Sequence, residues 1–250
     1  MISYNIYYKE KNNTGENRDI FSRVEDRLHD FKIVKSDKPE YVFTFGGDGT
    51  LLEAIHKYGL DVIYVGCNLG HLGYTNYFDK DTILSCLGQL RNYNILQTTP
   101  LVCKIDDKEF LVVNEVVVGD VCLTQKYNIF VDDIFFESIA SSGVVVSSAL
   151  GSTAYNKSLG GCIMSPYSSN YVLTLIAPIN SKVYHAIRES VIFDNNQVRI
   201  ESKNKIMNIY IDGKFVGGSN NIQIVQSINK LKILTNNTTW IEKLRNSFER

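Results

Sequence analysis

The sequence predicts an α/β plus β fold: a small parallel sheet covered by helices over residues 1–94, then a mostly β domain over residues 95–235. Three observations carry this expectation. In the first part apolar residues alternate between strand spacing and helix spacing, the rhythm of βαβ units. The pattern then changes to short β-rich runs separated by turn residues. The chain has 250 residues, 44% of them hydrophobic, enough to bury one large core or two small ones.

Residues 3–8 read as the first strand, and residues 17–31 as a helix with Ile20, Val24, Leu28 and Phe31 at helical spacing. A strand over 41–45, a helix over 51–58 and a strand over 61–66 follow. A helix over 81–93, with Ile83, Leu84, Leu87 and Leu90 on its apolar face, closes the first domain. The β-rich runs cover 101–105, 110–114, 127–136, 143–147, 171–177, 198–202, 206–212, 222–225 and 230–234. Asp132-Asp133 and Asp212-Gly213 are turn pairs of the kind that join hairpins. Residues 239–248 read as a short amphipathic helix around Trp240, Ile241, Leu244 and Phe248. With four prolines and no Pro-rich linker, the two parts are expected to share an interface whose cleft takes a ligand.

The composition excludes disorder and fibrous repeats. Lys and Arg number 26 against 27 Asp and Glu, so the net charge is -1. That balance lacks the basic excess needed for a nucleic-acid or anionic-membrane partner. The five cysteines are an odd number, contain no C-x-x-C pair, and come no closer together than Cys86 and Cys103. They point to a reducing cytoplasm, against a disulfide frame or structural zinc. No apolar run approaches the ~20 residues a bilayer requires, and the strand-like start lacks a signal-peptide core. A soluble, unexported protein is expected.

The most informative segment is Gly46-Gly47-Asp48-Gly49-Thr50, between the strand 41–45 and a helix. Glycines there permit close backbone approach, and the helix start presents free N–H groups and a positive dipole end to an anion such as phosphate. It is neither G-x-G-x-x-G nor a P-loop. Asp48 inside such a cradle would repel phosphate unless it serves chemistry or an accompanying metal; a helix cap or an Asx-turn would place the same residue there. The loop 151–161 surrounds Tyr155, Asn156 and Lys157 with small and hydroxyl residues, as suits a polar planar ligand or a plain surface loop. Asn114-Glu115 interrupts a β-branched run and could chelate an adenine edge or ribose hydroxyls, or mark a bulge. Residues 66–74 are again glycine-rich, and their His71 lacks a nucleophile partner in any recognised signature. His29, His56 and His185 show no metal spacing.

Taken together these four segments resemble the NAD kinase family, whose members phosphorylate NAD at the 2′-hydroxyl of its adenosine ribose. The resemblance rests on Gly46-Gly47-Asp48-Gly49-Thr50, on residues 66–74 through Tyr74, on Asn114-Glu115, and on Gly151-Ser152-Thr153-Ala154-Tyr155 with Ser158-Leu159-Gly160-Gly161. It implies a Rossmann-like N-terminal domain, a β-rich C-terminal domain, an interdomain active site and a homotetramer in which a neighbouring subunit often supplies substrate contacts. It implies further that residues 236–250 return to the N-terminal domain. Carried over, Asp48 is the general base, and Gly46, Gly47, Gly49 and Thr50 line the phosphate site. NAD would be held by Asp48, Gly49, Tyr74, Asn114, Glu115, Ser142, Thr153, Ala154, Tyr155, Asn156, Ser158 and Ala177, with Tyr155 stacking. The substrates would be NAD and ATP, or polyphosphate as donor. Mg²⁺ would arrive on the nucleotide, because the sequence suggests no dedicated cage of acidic residues.

Where the family usually has Asp-Gly, this chain has Ser142-Gly143, and Ser148-Ala149 replaces the usual Thr-Pro. The first change implies weaker NAD binding or a looser choice between NAD and NADH. Two other readings share parts of the pattern. A lipid kinase would share the glycine-aspartate box alone and need an acyl pocket; a non-catalytic dinucleotide-binding module would not need the Asp48 carboxylate.

Overall fold

Residues 2–70, 73–120, 122–182, 185–203 and 205–248 are described in a computed structural model of the chain. The chain runs through β1 (Ser3–Tyr8), α1 (Gly15–Asp30), β2 (Val34–Lys35), β3 (Tyr41–Phe45), α2 (Asp48–Tyr58), β4 (Ile63–Asn68), β5 (Phe78–Asp79), α3 (Ile83–Cys86) and β6 (Asn94–Thr98). It continues with β7 (Leu101–Ile105), β8 (Lys108–Val112), β9 (Glu115–Gly119), β10 (Gln125–Val131), β11 (Ile134–Ser141), β12 (Gly143–Ser148) and α4 (Tyr155–Ser158). Then come β13 (Tyr171–Ile176), β14 (Val191–Phe193), β15 (Val198–Glu201), β16 (Met207–Ile211), β17 (Lys214–Ser219), β18 (Asn221–Gln226), β19 (Leu231–Thr235) and α5 (Trp240–Phe248).

Two units result: Met1–Gln97 with Leu231–Arg250, and Thr98–Lys230. In the first, a sheet in the order β2-β1-β3-β4-β19-β6, with β5 beside β4, is parallel from β2 through β19. The run 230–234, expected in the β-rich domain, is therefore a strand of the first sheet. Leu231, Ile233 and Leu234 are all fully buried, as a central parallel strand covered on both faces requires. The boundary also moves from residue 94 to 97, because β6 joins that sheet.

Helix α1 buries Ile20, Phe21, Val24 and Leu28 as its period predicts, but Phe31 caps the helix and stays exposed. The helix expected over 81–93 is broken into α3 and a 3-10 segment, Leu87–Asn92, with Gln89 off helical geometry. Its Gly88 lies against the Phe31 ring, where an added Cβ would stand 2.8 Å from Cζ. In α5 the expected apolar face is also corrected. Ile241 is exposed and Lys243 is the residue buried, at 3% exposure; the Phe248 side chain lies outside the described residues.

The second unit consists of two antiparallel sheets, β11-β10-β15-β18-β7-β8 and β14-β13-β12-β9-β16-β17. One core cluster draws on both, with Leu101, Cys103, Tyr127, Ile200 and Ile224 from the first and Val116, Val144, Val146, Met207 and Ile209 from the second. The expected run 127–136 is a hairpin, β10 and β11, turning at Asp132 and Asp133, both at positive φ. Among the described residues no helix is long and apolar enough to cross a membrane.

Candidate active site

The first unit builds a carboxylate site at the start of α2. Strand β3 is buried throughout and ends at Gly46, whose φ is +150°. A Cβ there would stand 2.3 Å from Thr50 Oγ1 and 2.6 Å from Asn12 Nδ2, so only glycine lets the strand turn into the helix. Gly47 caps α2, Asp48 is its first residue and Thr50 is buried in its first turn. The leading N–H groups of a helix have no partner within it. Gly47 and Gly49 leave the backbone bare; the nearest group to a Cβ on Gly49 would be Lys9 Nζ at 3.9 Å. This is an open anion cradle.

The Asp48 carboxylate is gripped by residues 73–76. Its Oδ1 accepts the Thr75 N–H at 3.1 Å, the Thr75 hydroxyl at 2.5 Å and the Asn76 amide at 3.2 Å. Its Oδ2 accepts the Tyr74 N–H at 2.8 Å. Oδ1 is thus saturated, while Oδ2 keeps a lone pair for a further donor. Gly73 packs against the same carboxylate, since a Cβ would lie 2.4 Å from Oδ1. Asn76 also donates to the Gly46 carbonyl at 3.3 Å, and Gly66 is bare because a Cβ would meet the Asn76 Oδ1 at 2.1 Å. His71 and Leu72 lie outside the described residues.

Behind this turn stands Lys243 of α5, which the sequence reading missed. Its ammonium donates to the carbonyls of Gly73 at 3.2 Å, Tyr74 at 3.4 Å and Asn76, and sits 3.9 Å from the centre of the Tyr77 ring. Burial pushes the Lys243 amine down to about 8, with Asp48 pulling the other way. No local signal marks such a lysine, because helical periodicity assigns a charged residue to the solvent face.

The second unit assembles a separate polar corner around Asn114 and Glu115. The Asp212 carboxylate accepts the backbone N–H groups of Val113 at 2.9 Å, Asn114 at 2.6 Å and Glu115 at 3.1 Å, from a turn where Asp212 itself has positive φ. Asp212 had signalled only a hairpin turn. Gly151 packs on the same corner, and a Cβ there would be 2.2 Å from the Asn114 carbonyl. Glu115 is buried, and its Oε2 has no partner. Burial pushes its carboxyl up to about 7; Asp212 adds to the rise and the Tyr155 N–H opposes it. The Asn114 side chain is half-buried and makes no hydrogen bond in the described structure.

The residues expected from 153 to 158 divide by burial. Thr153, Ala154 and Tyr155 are half-buried and Ser158 is exposed. Asn156 is fully buried: its amide donates to the Ser152 and Cys162 carbonyls and its Oδ1 accepts from Thr174. That side chain shapes the loop from within, which leaves it no donor for a ligand. Gly161 is bare because a Cβ would meet the same amide at 2.0 Å. Ser142 and Ala177 stand together elsewhere. The Ser142 N–H donates to the Ile176 carbonyl, and Ala177 has φ of +46°. In register Gly143 faces Ile176 while Ser148 faces Tyr171, and Ser148 touches Asn114. Ser142 and Asn114 thus lie at opposite ends of β12, about 20 Å apart along the strand. Among the described residues no three His, Cys, Asp or Glu side chains gather as for a metal ion.

Comparison with known proteins places this arrangement. The ATP-NAD kinase C-terminal domain family matches residues 112–235. Two solved structures share the fold over the whole chain at 20% identity. One is yeast NADH kinase complexed with NADH, at a TM-score of 0.82 and 87% of that chain. The other is an NAD kinase from Archaeoglobus fulgidus in complex with ATP, at 0.81 and 98%. The fold is therefore that of the nicotinamide-nucleotide kinases. An NAD kinase of Streptococcus agalactiae is 34% identical over 239 residues, 88% of this chain and 85% of its own. One of Latilactobacillus sakei is 32% identical over 198 residues, 74% of each. The chain belongs to the NAD kinase family.

Proposed function

We propose that this protein transfers the terminal phosphate of ATP to the 2′-hydroxyl of the adenosine ribose of NAD, giving NADP and ADP, with Asp48 as general base. The observation that carries the reading is the Asp48 carboxylate at the mouth of an anion cradle, with Oδ1 saturated and Oδ2 open. A ribose hydroxyl is a poor nucleophile until its proton has a place to go, and phosphoryl transfer asks mainly for positioning and charge neutralisation. Oδ2 takes the hydroxyl proton as the new O–P bond forms and the bond to the ADP oxygen breaks. The amides of Gly47 and Gly49 and the start of α2 receive the transferring phosphate, which inorganic polyphosphate could also present.

Mg²⁺ suits this site as the nucleotide's companion, since the single carboxylate of Asp48 cannot cage it; bound to ATP, it would screen the phosphate from that carboxylate. Asn114, with its unengaged amide, and Glu115, with its unpartnered Oε2, hold NAD through its hydroxyls or adenine edge. Tyr155 supplies a stacking face, and Tyr74, Thr153, Ala154 and Ser158 line the ligand. Ser142 and Ala177, at the far end of β12 from Asn114, complete the NAD-binding set, and a homotetramer is part of the same proposal.

A coupled assay for NADP from NAD, ATP and Mg²⁺, run beside Asp48→Asn, tests the reading. Loss of about 10²-fold or more in kcat, with NAD affinity kept, is expected of a lost general base. Turnover by the variant at the parental rate would remove Asp48 from the mechanism. Binding of NAD by the parent with no turnover would favour a non-catalytic dinucleotide module.

A further inference from the structure

We propose that Lys243 is a positioning residue for the reaction, holding the Asp48 carboxylate in its orientation through the peptide groups of residues 73–75. The inference rests on the reading of Asp48 as base. Each amide is a rigid plane whose C=O and N–H point in opposite directions. The Gly73 carbonyl accepts from Lys243 while the Tyr74 N–H of the same plane donates to Asp48 Oδ2. One plane further on, the Tyr74 carbonyl accepts from Lys243 while the Thr75 N–H donates to Asp48 Oδ1. A cation and an anion are thereby joined through two polarised amides in parallel, an arrangement in which each hydrogen bond strengthens the next. The Asn76 carbonyl completes the ammonium's donors, and the Asn76 side chain returns to Asp48.

Several features separate this from an incidental buried lysine. All three ammonium contacts go to the turn that grips Asp48, and none to a carboxylate. Removing a charge from water is compensated only where its donors are used. The charged groups around Lys243 are Asp48 from α2, Asp79 across the small cavity beside β5, and Glu242 and Arg245 on its own helix. The electrostatic pull on its charge comes from Asp48.

The test follows the Tyr74 and Thr75 amides by 15N–1H NMR in the whole protein, which needs no turnover and so succeeds or fails independently of the kinase reading. In Lys243→Met the Tyr74 and Thr75 amide 15N and 1H signals are expected to move upfield, as their hydrogen bonds to Asp48 lose the polarising cation behind them. In the unmodified protein, the Tyr74 and Thr75 amide 15N signals should show an inflection near pH 8, where the lysine loses its proton. Kinetically, Lys243→Met should lower kcat about tenfold with KM for NAD and ATP little changed. Lys243→Arg should recover part of kcat and of the amide shifts. Tyr74 and Thr75 signals unmoved in Lys243→Met, or flat through pH 8 in the parent, would overturn the proposal.

Discussion

Replacing Glu115 with Gln should change how stability depends on pH more than stability at any one pH. In the folded protein burial and Asp212 raise the Glu115 carboxyl from 4.5 to about 7, so the native state holds a proton that the unfolded chain gives up. Between those two values the folded form binds more protons, and stability falls as pH rises through the window. With both values inserted in the linkage relation, the penalty is about 1 kcal/mol at pH 5 and about 3 kcal/mol at pH 8. The parent therefore loses about 2–3 kcal/mol over this interval through Glu115, and Glu115→Gln should not. The constant effect of the substituted amide cancels when each protein is compared with itself. Urea unfolding at pH 5, 6, 7 and 8 measures the slope, and the change corresponds to a relative shift in Tm of about 5–10 °C. NAD should flatten the parental slope if a ligand hydroxyl occupies the unpartnered Oε2. Parallel pH profiles for the two proteins would refute the reasoning and put the Glu115 carboxyl in contact with solvent or a cation.

Gly73→Ala would push a methyl group to within 2.4 Å of Asp48 Oδ1. The expected result is a loss of about 1–3 kcal/mol in stability and a tenfold or larger fall in kcat, read by urea melts and steady-state kinetics. Asp212→Ala strips the partner from three backbone N–H groups. It should destabilise the protein by about 3–5 kcal/mol and raise KM for NAD through disorder at Asn114 and Glu115, measured by urea melts and NAD titration.

Much of the fold was legible because local signals agreed with the tertiary outcome. The 3.6-residue spacing of Ile20, Val24 and Leu28 lies on the buried face of α1, and the apolar run at Tyr41–Phe45 is a strand buried on both faces. Asp48, Asn114 and Glu115 stood out because polar residues in such settings need partners. What stayed hidden depends on contacts far apart in sequence. Leu231–Thr235 has the continuous burial of a parallel strand, yet its pairing with β4 is set by residues far earlier in the chain. The close approach at Gly88 answers to Phe31, and the jobs of Asp212 and Lys243 answer to backbone groups far from either residue. Asn156 was read for its chemistry, and its amide turned inward because Thr174 and two carbonyls claim it.

The discontinuity of the first unit bears on how the protein is made. Its sheet lacks β19, and its carboxylate turn lacks Lys243, until Leu231–Arg250 has been synthesised. The whole of Thr98–Lys230 is translated in between, a delay on the order of ten seconds at about 5–20 residues per second. During that interval the edge of β4 at Ile63 and Tyr64 is unpaired, with β5 covering only Cys67 and Asn68, and a bare parallel edge is the kind of surface that misassembles. The Asp48 site is therefore finished only after the whole of Thr98–Lys230 has been translated, and a nascent chain cannot present it ready-made to nucleotide before then.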